Sequence, residues 1–446
     1  MRMKFNNLPG STETEPGYPR TGLTLHGGRF LRKGGLGRLA LLSVAGLAAA
    51  ALVTACSQLT ETLTVDFVYV SSAKAAGPDN YGEVDVFEIN SQSGHMRQIP
   101  TSPFPSGGRN PVAEAVSPDY TNLYVVNRDD NSIVQFIIGS DGKLYPQNTV
   151  NTPGVFPMAV SVAKTSLYVA DTYQPLPTCS PASPCSGSIA VFPILPAAGS
   201  VQAGKLQTGS TINSCSGLAY LPLAVPGASS HIIVPTAIHA SASNTNLLVT
   251  AVDTTANTGY VFAYSVGSID CGKTAAYPAL TPLPGSPYPA GVQPSAVTSD
   301  PGGTFIYVTD YASSDVLGWA LSGSGLTSVS GSPFATGNQP SSITIDATGK
   351  FAAVAASQDS SVTTYNISNG ALSRVGAFAT GLQPVAIGID PRMNKYVFTA
   401  DFLGNTVSGF ALDANSGSLL NTQYSPFKSN ANPTAVAAIP HNGSIH

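Results

Sequence analysis

Ionisable side chains are scarce in this chain, so the few that fall at regular positions stand out. Of 446 residues only 10% are charged, with 20 Lys plus Arg, 24 Asp plus Glu and 6 His. Seven short apolar segments each open on a proline, and up to their terminal turns they hold little but Ala, Ser, Thr, Gly and aliphatics. Two exceptions carry chemistry: Glu114, three past Pro111, and His239, four past Pro235. Arg109 lies just before the first of these segments, and Arg128 follows the strand after it. A carboxylate or an imidazole takes a proton from water, and a guanidinium holds an oxyanion, so this set would serve hydrolysis. Glu114 and His239 differ by one in position along their segments, which leaves open whether they face each other. The plainer alternative is a pair of satisfied polar residues lining a wet channel.

Other site chemistries find little support. Arg128-Asp129-Asp130-Asn131 lacks the oxygen-ligand spacing of a calcium loop. There is no Cys-x2-Cys pair for zinc, no phosphate-binding Gly loop and no Gly-x-Ser-x-Gly elbow. Neither a metal nor a cofactor is expected. A net charge of -4 gives no basic footprint for nucleic acid.

The elements that would position these residues come from a repeat. The proline anchors are Pro111, Pro157, Pro235, Pro294, Pro340, Pro384 and Pro433, spaced 46, 78, 59, 46, 44 and 49 apart. Two residues past each proline stands Ala or Ser. A second segment follows at a fixed offset, as in Leu123-Tyr124-Val125-Val126 and Ile306-Tyr307-Val308-Thr309. A third carries an aromatic among apolars, as in Gln135-Phe136-Ile137-Ile138 and Thr364-Tyr365-Asn366-Ile367. A fourth follows a Gly-Lys-Leu or Gly-Ala-Leu turn and often ends in Ser-Pro-Phe or Ser-Pro-Tyr. Four short strands in about 45 residues describe a propeller blade. The expected fold is all-β: a seven-bladed β-propeller of four-stranded blades. The first unit lacks its proline-led strand and the last such strand, Thr434 to Ile439, has no successor. The C-terminal strand is therefore expected to join the first blade and close the ring, removing exposed sheet edges. An open solenoid is the alternative, but no polar caps are found for it.

The N-terminus reads as an export segment. Residues 1–55 carry seven basic and two acidic residues, and Leu39 to Ala55 is an apolar run that ends at Cys56. A positive region, a short apolar region and small residues before a cut site describe an export signal. Val53-Thr54-Ala55-Cys56 resembles a bacterial lipobox, which implies lipidation of Cys56 and a membrane partner through that lipid. An uncleaved membrane helix is the alternative reading, although the run is short for a span. The expected organisation is 1–55 export signal, 56–64 tether, 65–440 propeller and 441–446 tail. The body is placed in the cell envelope outside the cytoplasm, at the outer membrane if there are two. Cys179, Cys185, Cys215 and Cys271 remain as disulfide candidates in an exported chain. Pairing 179 with 185 and 215 with 271 is one solution; Cys215 with Cys179 or Cys185 is the rival.

Tyr307-Val308-Thr309-Asp310, with its Gly-rich turn and Pro294 upstream, resembles the YVTN repeat. From about residue 65 to 440 the chain is similar to the seven-bladed propeller lactonase family, related to 6-phosphogluconolactonase and muconate-lactonizing enzymes. The resemblance implies the fold and, as an activity, lactone opening at the axial channel. Family members often carry Pro-His-Pro where the innermost strand begins; here the triplets include Gln-Pro-Ser, Gln-Pro-Val and Asn-Pro-Thr. With so few ionisable groups on the innermost strands, the first expectation is a lipid-anchored binding module. The alternative is a lactone hydrolase. Two long insertions, Thr172 to Gly187 and Thr211 to Val234, fall on one face and mark it for a protein or glycan partner.

Overall fold

Strands such as Asn122–Asn127 are buried at every residue, so both faces of the sheet they form must be covered. A ring of radially packed sheets provides that cover, since each sheet has a neighbour on either side. The computed structural model describes residues 65–73, 81–198, 203–210, 212, 219–270, 272, 277–391, 394–430 and 432–440. The export segment, Cys56 and its tether, Cys215, Cys271 and the tail 441–446 lie outside the described residues. Every regular element among those described is a β-strand, and the strands form seven sheets. No described helix is long and apolar enough to cross a membrane.

Blade 1 is built from Pro433–Ile439, Val65–Ser72, Tyr81–Asn90 and Met96–Gln98. The C-terminal strand thus pairs antiparallel with the first described strand, Val70 opposite Val436, and closes the ring as expected. Blades 2 to 7 follow in order, with innermost strands Pro111–Val116, Val155–Ala163, Ile233–Ala240, Pro294–Ser299, Pro340–Ile345 and Pro384–Ile389. Seven apolar clusters fill the seven gaps between blades rather than one central core.

Each repeated residue has a physical task. Every innermost strand carries a register shift at its proline, where two residues oppose one. In three blades the residue after the proline is a Ser or Thr that straps one blade to the next. Thr434 Oγ1 donates to the Pro111 carbonyl at 2.8 Å, Ser295 Oγ to that of Pro340 at 2.5 Å and Ser341 Oγ to that of Pro384 at 2.7 Å. The tyrosine of the second strand is fully buried, and its hydroxyl reaches the outer turn of the following blade. Tyr69 donates to Gly142 O, Tyr124 to Gly204 O, Tyr307 to Gly370 O and Tyr396 to Ser91 O. The turn glycine is required there: Gly370 has φ +79°, and a Cβ would stand 2.3 Å from the Phe305 ring. The Ser-Pro turns accept third-strand N–H groups, Val86 at Ser102 Oγ and Gly409 at Ser425 Oγ, both at 2.9 Å.

Blade 3 departs from the pattern. Its Gly204-Lys205-Leu206 turn makes only an isolated bridge between Ile194 and Leu206, and the fourth strand is the short Leu221–Pro222. The stretch read from sequence as a lead into blade 4 therefore also supplies the outer edge of blade 3.

Candidate functional site

The innermost strands run from an upper face, where their prolines and both insertions lie, to a lower face, where they end in turns. Near their lower ends they line the mouth of the axial channel. A cavity of about 410 Å³ opens there, bordered by Ser161, His239, Thr298, Ser299, Asp300 and Thr344 from four blades. His239 Nε2 lies 3.0 Å from Ser299 Oγ, a contact between the innermost strands of blades 4 and 5. Burial disfavours the imidazolium and pushes the His239 pKa down to about 4. The ring is therefore neutral at physiological pH, with Nε2 accepting the Ser299 hydroxyl when Nδ1 carries the proton. Ser161 Oγ accepts the Ala240 N–H at 2.9 Å, which leaves its own proton free to point into the cavity. Asp300 Oδ1 accepts the N–H groups of Thr304 and Phe305, both at 2.6 Å, and so closes its turn beside the mouth.

Glu114 is not part of this cavity. Its side chain turns toward blade 1, where Ser71 Oγ donates to Oε2 at 2.5 Å. Oε1 is buried without a hydrogen-bond partner. Burial, only partly offset by donation from Ser71 and Ala437, raises the Glu114 pKa to about 7. Arg109 and Arg128 are on the upper face and serve local structure. Arg109 pairs with Asp130, its Nε 2.7 Å from Oδ1, and Arg128 stacks 5.1 Å from the centroid of Phe156. The structure thus separates the four residues singled out by type: His239 stands at the lower mouth, Glu114 between two blades, and both arginines at the upper rim.

Two further groups come into view only in three dimensions. Ser299 is the one hydroxyl among the residues five past each proline, the others being Val116, Val162, Ala240, Ile345, Ile389 and Ala438. That break in a repeat column was the available signal. On the upper face His231 Nδ1 lies 2.6 Å from Asp253 Oδ2, with Asp253 buried and the imidazole partly exposed. Asp253 closes the second strand of blade 4 and its Oδ1 accepts the N–H groups of Thr255 and Ala256 at 3.0 and 2.9 Å. In blade 5 Asp310 instead holds the lead into the innermost strand, Oδ2 accepting the Val292 N–H at 2.7 Å and Oδ1 that of Gln293 at 2.9 Å.

The insertions brace each other beside His231. Ser186 Oγ donates to the His231 carbonyl at 3.2 Å and accepts the Ile233 N–H at 3.0 Å. Within the first insertion Cys179 and Cys185 form a disulfide, their Cα atoms 5.5 Å apart. Among the described residues no group of three or more His, Cys, Asp or Glu is placed to hold a metal ion.

The sequence pattern described as "Lactonase, 7-bladed beta-propeller" matches residues 79–176 and 320–437. No curated protein matches the sequence. Among solved structures, a candidate 6-phosphogluconolactonase from Bacteroides fragilis superposes with a TM-score of 0.64 at 17% identity, covering 85% of this chain and 99% of its own. The periplasmic gluconolactonase of Pseudomonas aeruginosa superposes with a TM-score of 0.63 at 18% identity, covering 84% of this chain and 99% of its own. At such identities the superpositions speak for the fold. Together with the repeat and the seven closed blades, the matched segments lead to one assignment: the chain is a seven-bladed β-propeller that resembles the lactonase family of that fold.

Proposed function

We propose that this protein is an extracytoplasmic lactone hydrolase, held at a membrane through Cys56 and working at the lower mouth of its axial channel. The observation that carries the reading is the 3.0 Å contact of His239 Nε2 with Ser299 Oγ inside that cavity. A hydroxyl within hydrogen-bond reach of a neutral imidazole is an activated nucleophile. Ser299 Oγ attacks the lactone carbonyl carbon as its proton passes to Nε2. The ring C–O bond then breaks, and the imidazolium returns the proton to the departing alkoxide. Water repeats the sequence on the resulting ester, releasing the hydroxy acid and restoring Ser299. The hydroxyls of Ser161, Thr298 and Thr344 border the cavity and are the available donors for the carbonyl oxygen. Among the described residues Asp300 borders this cavity and no Lys or Arg does, a lining that suits an uncharged lactone better than a phosphorylated one.

The test is hydrolysis of sugar and homoserine lactones by the purified protein. His239→Ala and Ser299→Ala should each lower kcat/KM by about a hundredfold or more. Glu114→Gln, whose side chain lies outside the cavity against Ser71, should leave it intact. Full activity in both mouth variants would overturn the assignment. A second reading keeps the chain as a binding module for a protein or glycan. What favours it is the upper face, where two insertions are braced together at Ser186 and one is pinned by a disulfide.

A further inference from the structure

We propose that the lactone taken at this mouth carries an uncharged acyl chain, which lies in a groove running outward between blades 2 and 3 on the lower face. The inference rests on the hydrolase reading above and concerns the part of the substrate that does not react. A second cavity, of about 550 Å³, adjoins the first, and Pro118 and Ala242 border both. A ligand whose ring sits at His239 therefore has a continuous way out of the mouth past these two side chains.

The lining of the groove selects what can lie there. Pro118, Ile194, Leu195, Pro196, Ala203 and Ala242 give it an apolar surface. Its polar side chains are largely occupied with each other and with the backbone. Asp119 Oδ1 accepts from Ser117 and Thr121 hydroxyls at 2.5 and 2.8 Å, and Asn122 Oδ1 accepts from Gln135 at 2.8 Å. Thr165 Oγ1 accepts from Asn244 at 3.2 Å. Lys164 stands exposed at the border, where a long stem covers apolar surface while its ammonium stays in water. A chain of methylenes gains from such a surface and a polyol does not, since hydroxyls placed there would give up water for walls whose polar groups are already paired. The groove also owes its form to the departure of blade 3 from the repeat. Ile194 bridges Leu206 in place of a regular fourth strand, which leaves Leu195 and Pro196 on the lower rim.

The experiment uses the purified protein and a series of N-acyl-homoserine lactones with two, four, six and eight acyl carbons, with glucono-δ-lactone as the tailless reference. kcat/KM should rise by about fourfold for each methylene buried, then level off when the groove is full. Leu195→Asp should remove most of that rise and leave the two-carbon compound and glucono-δ-lactone unchanged. Pro196→Asp is the second variant, at an exposed position that borders the groove and not the mouth. Hydrolysis of the short lactones with a flat series, or an equal loss at every chain length in both variants, would overturn the inference while leaving the hydrolase reading in place. If no lactone is hydrolysed, the hydrolase reading falls, and binding of the eight-carbon compound measured by calorimetry decides the groove. Chain-length-dependent binding lost in Leu195→Asp supports it, and absence of binding overturns it.

Discussion

Replacing Glu114 with glutamine should stabilise the propeller at pH 8 relative to pH 5, and the size of the change follows from where the carboxyl sits. In the folded chain Glu114 lies between blades 1 and 2 with Oε1 unpartnered, and burial lifts its pKa from 4.5 to about 7. The folded state thus holds a proton that the unfolded state has released at any pH between those values. A raised carboxyl pKa gives stability that is complete below the unfolded value and is lost as pH climbs through the folded one. At about 1.4 kcal/mol per pH unit the interval sets a ceiling of about 3 kcal/mol at pH 8. Glu114 is half-buried rather than fully enclosed, which lowers the expected figure to about 2 kcal/mol. Glutamine does not titrate, so comparing the two proteins at two pH values cancels any fixed cost of repacking. The assay is urea unfolding of wild type and Glu114→Gln at pH 5 and pH 8, with the same m-value required before free energies are compared. The variant should gain on the wild type by about 2 kcal/mol between the two conditions. A gap that stays constant with pH, or that widens toward acid, would refute the placement of a neutral carboxyl between the blades.

Burial of His239 sets a different pH limit. If it is the base, kcat/KM should hold level through neutrality and fall on an acid limb near its pKa of about 4, and a limb near the ordinary histidine value would count against it. Deleting residues 433–446 removes the innermost strand of blade 1 and opens the ring. The loss should exceed the usual stability margin of about 5–15 kcal/mol, so circular dichroism should show no cooperative melt, and a melt within a degree or two of wild type would reject ring closure. Tyr307→Phe strips the buried Gly370 carbonyl of its donor and should cost about 1–3 kcal/mol in urea unfolding. Cys56→Ser should release the protein from membranes in cell fractionation and abolish acyl labelling, and unchanged retention would favour an uncleaved helix.

Most of the architecture was legible because its determinants recur. A Tyr that must reach the next blade, a Gly that must turn with positive φ beneath an aromatic ring, and a proline at each innermost-strand bulge appear again and again. Where one copy departs, as in the outer edge of blade 3, the sequence keeps its Gly-Lys-Leu turn and the strand does not form. The site was less legible for the opposite reason. Chemistry sits where a repeat column is broken, and a single break has no periodicity to support it. His239 drew notice as an ionisable residue, but Ser299 passed as one more small polar side chain, because their contact joins different blades and positions one step apart. Glu114 and His239 looked alike as signals, each the sole ionisable residue in its column. Their one-residue offset decided their surroundings. Glu114, three past its proline, turns to the preceding blade, where a carboxyl is penalised; His239, four past its own, meets the mouth, where an imidazole finds a hydroxyl. A strand alternates its faces with a period of two, so residues of similar chemistry one step apart belong to different environments. In a propeller that alternation turns one residue toward the preceding blade and the next toward the following one, so Glu114 meets Ser71 of blade 1 while His239 meets Ser299 of blade 5.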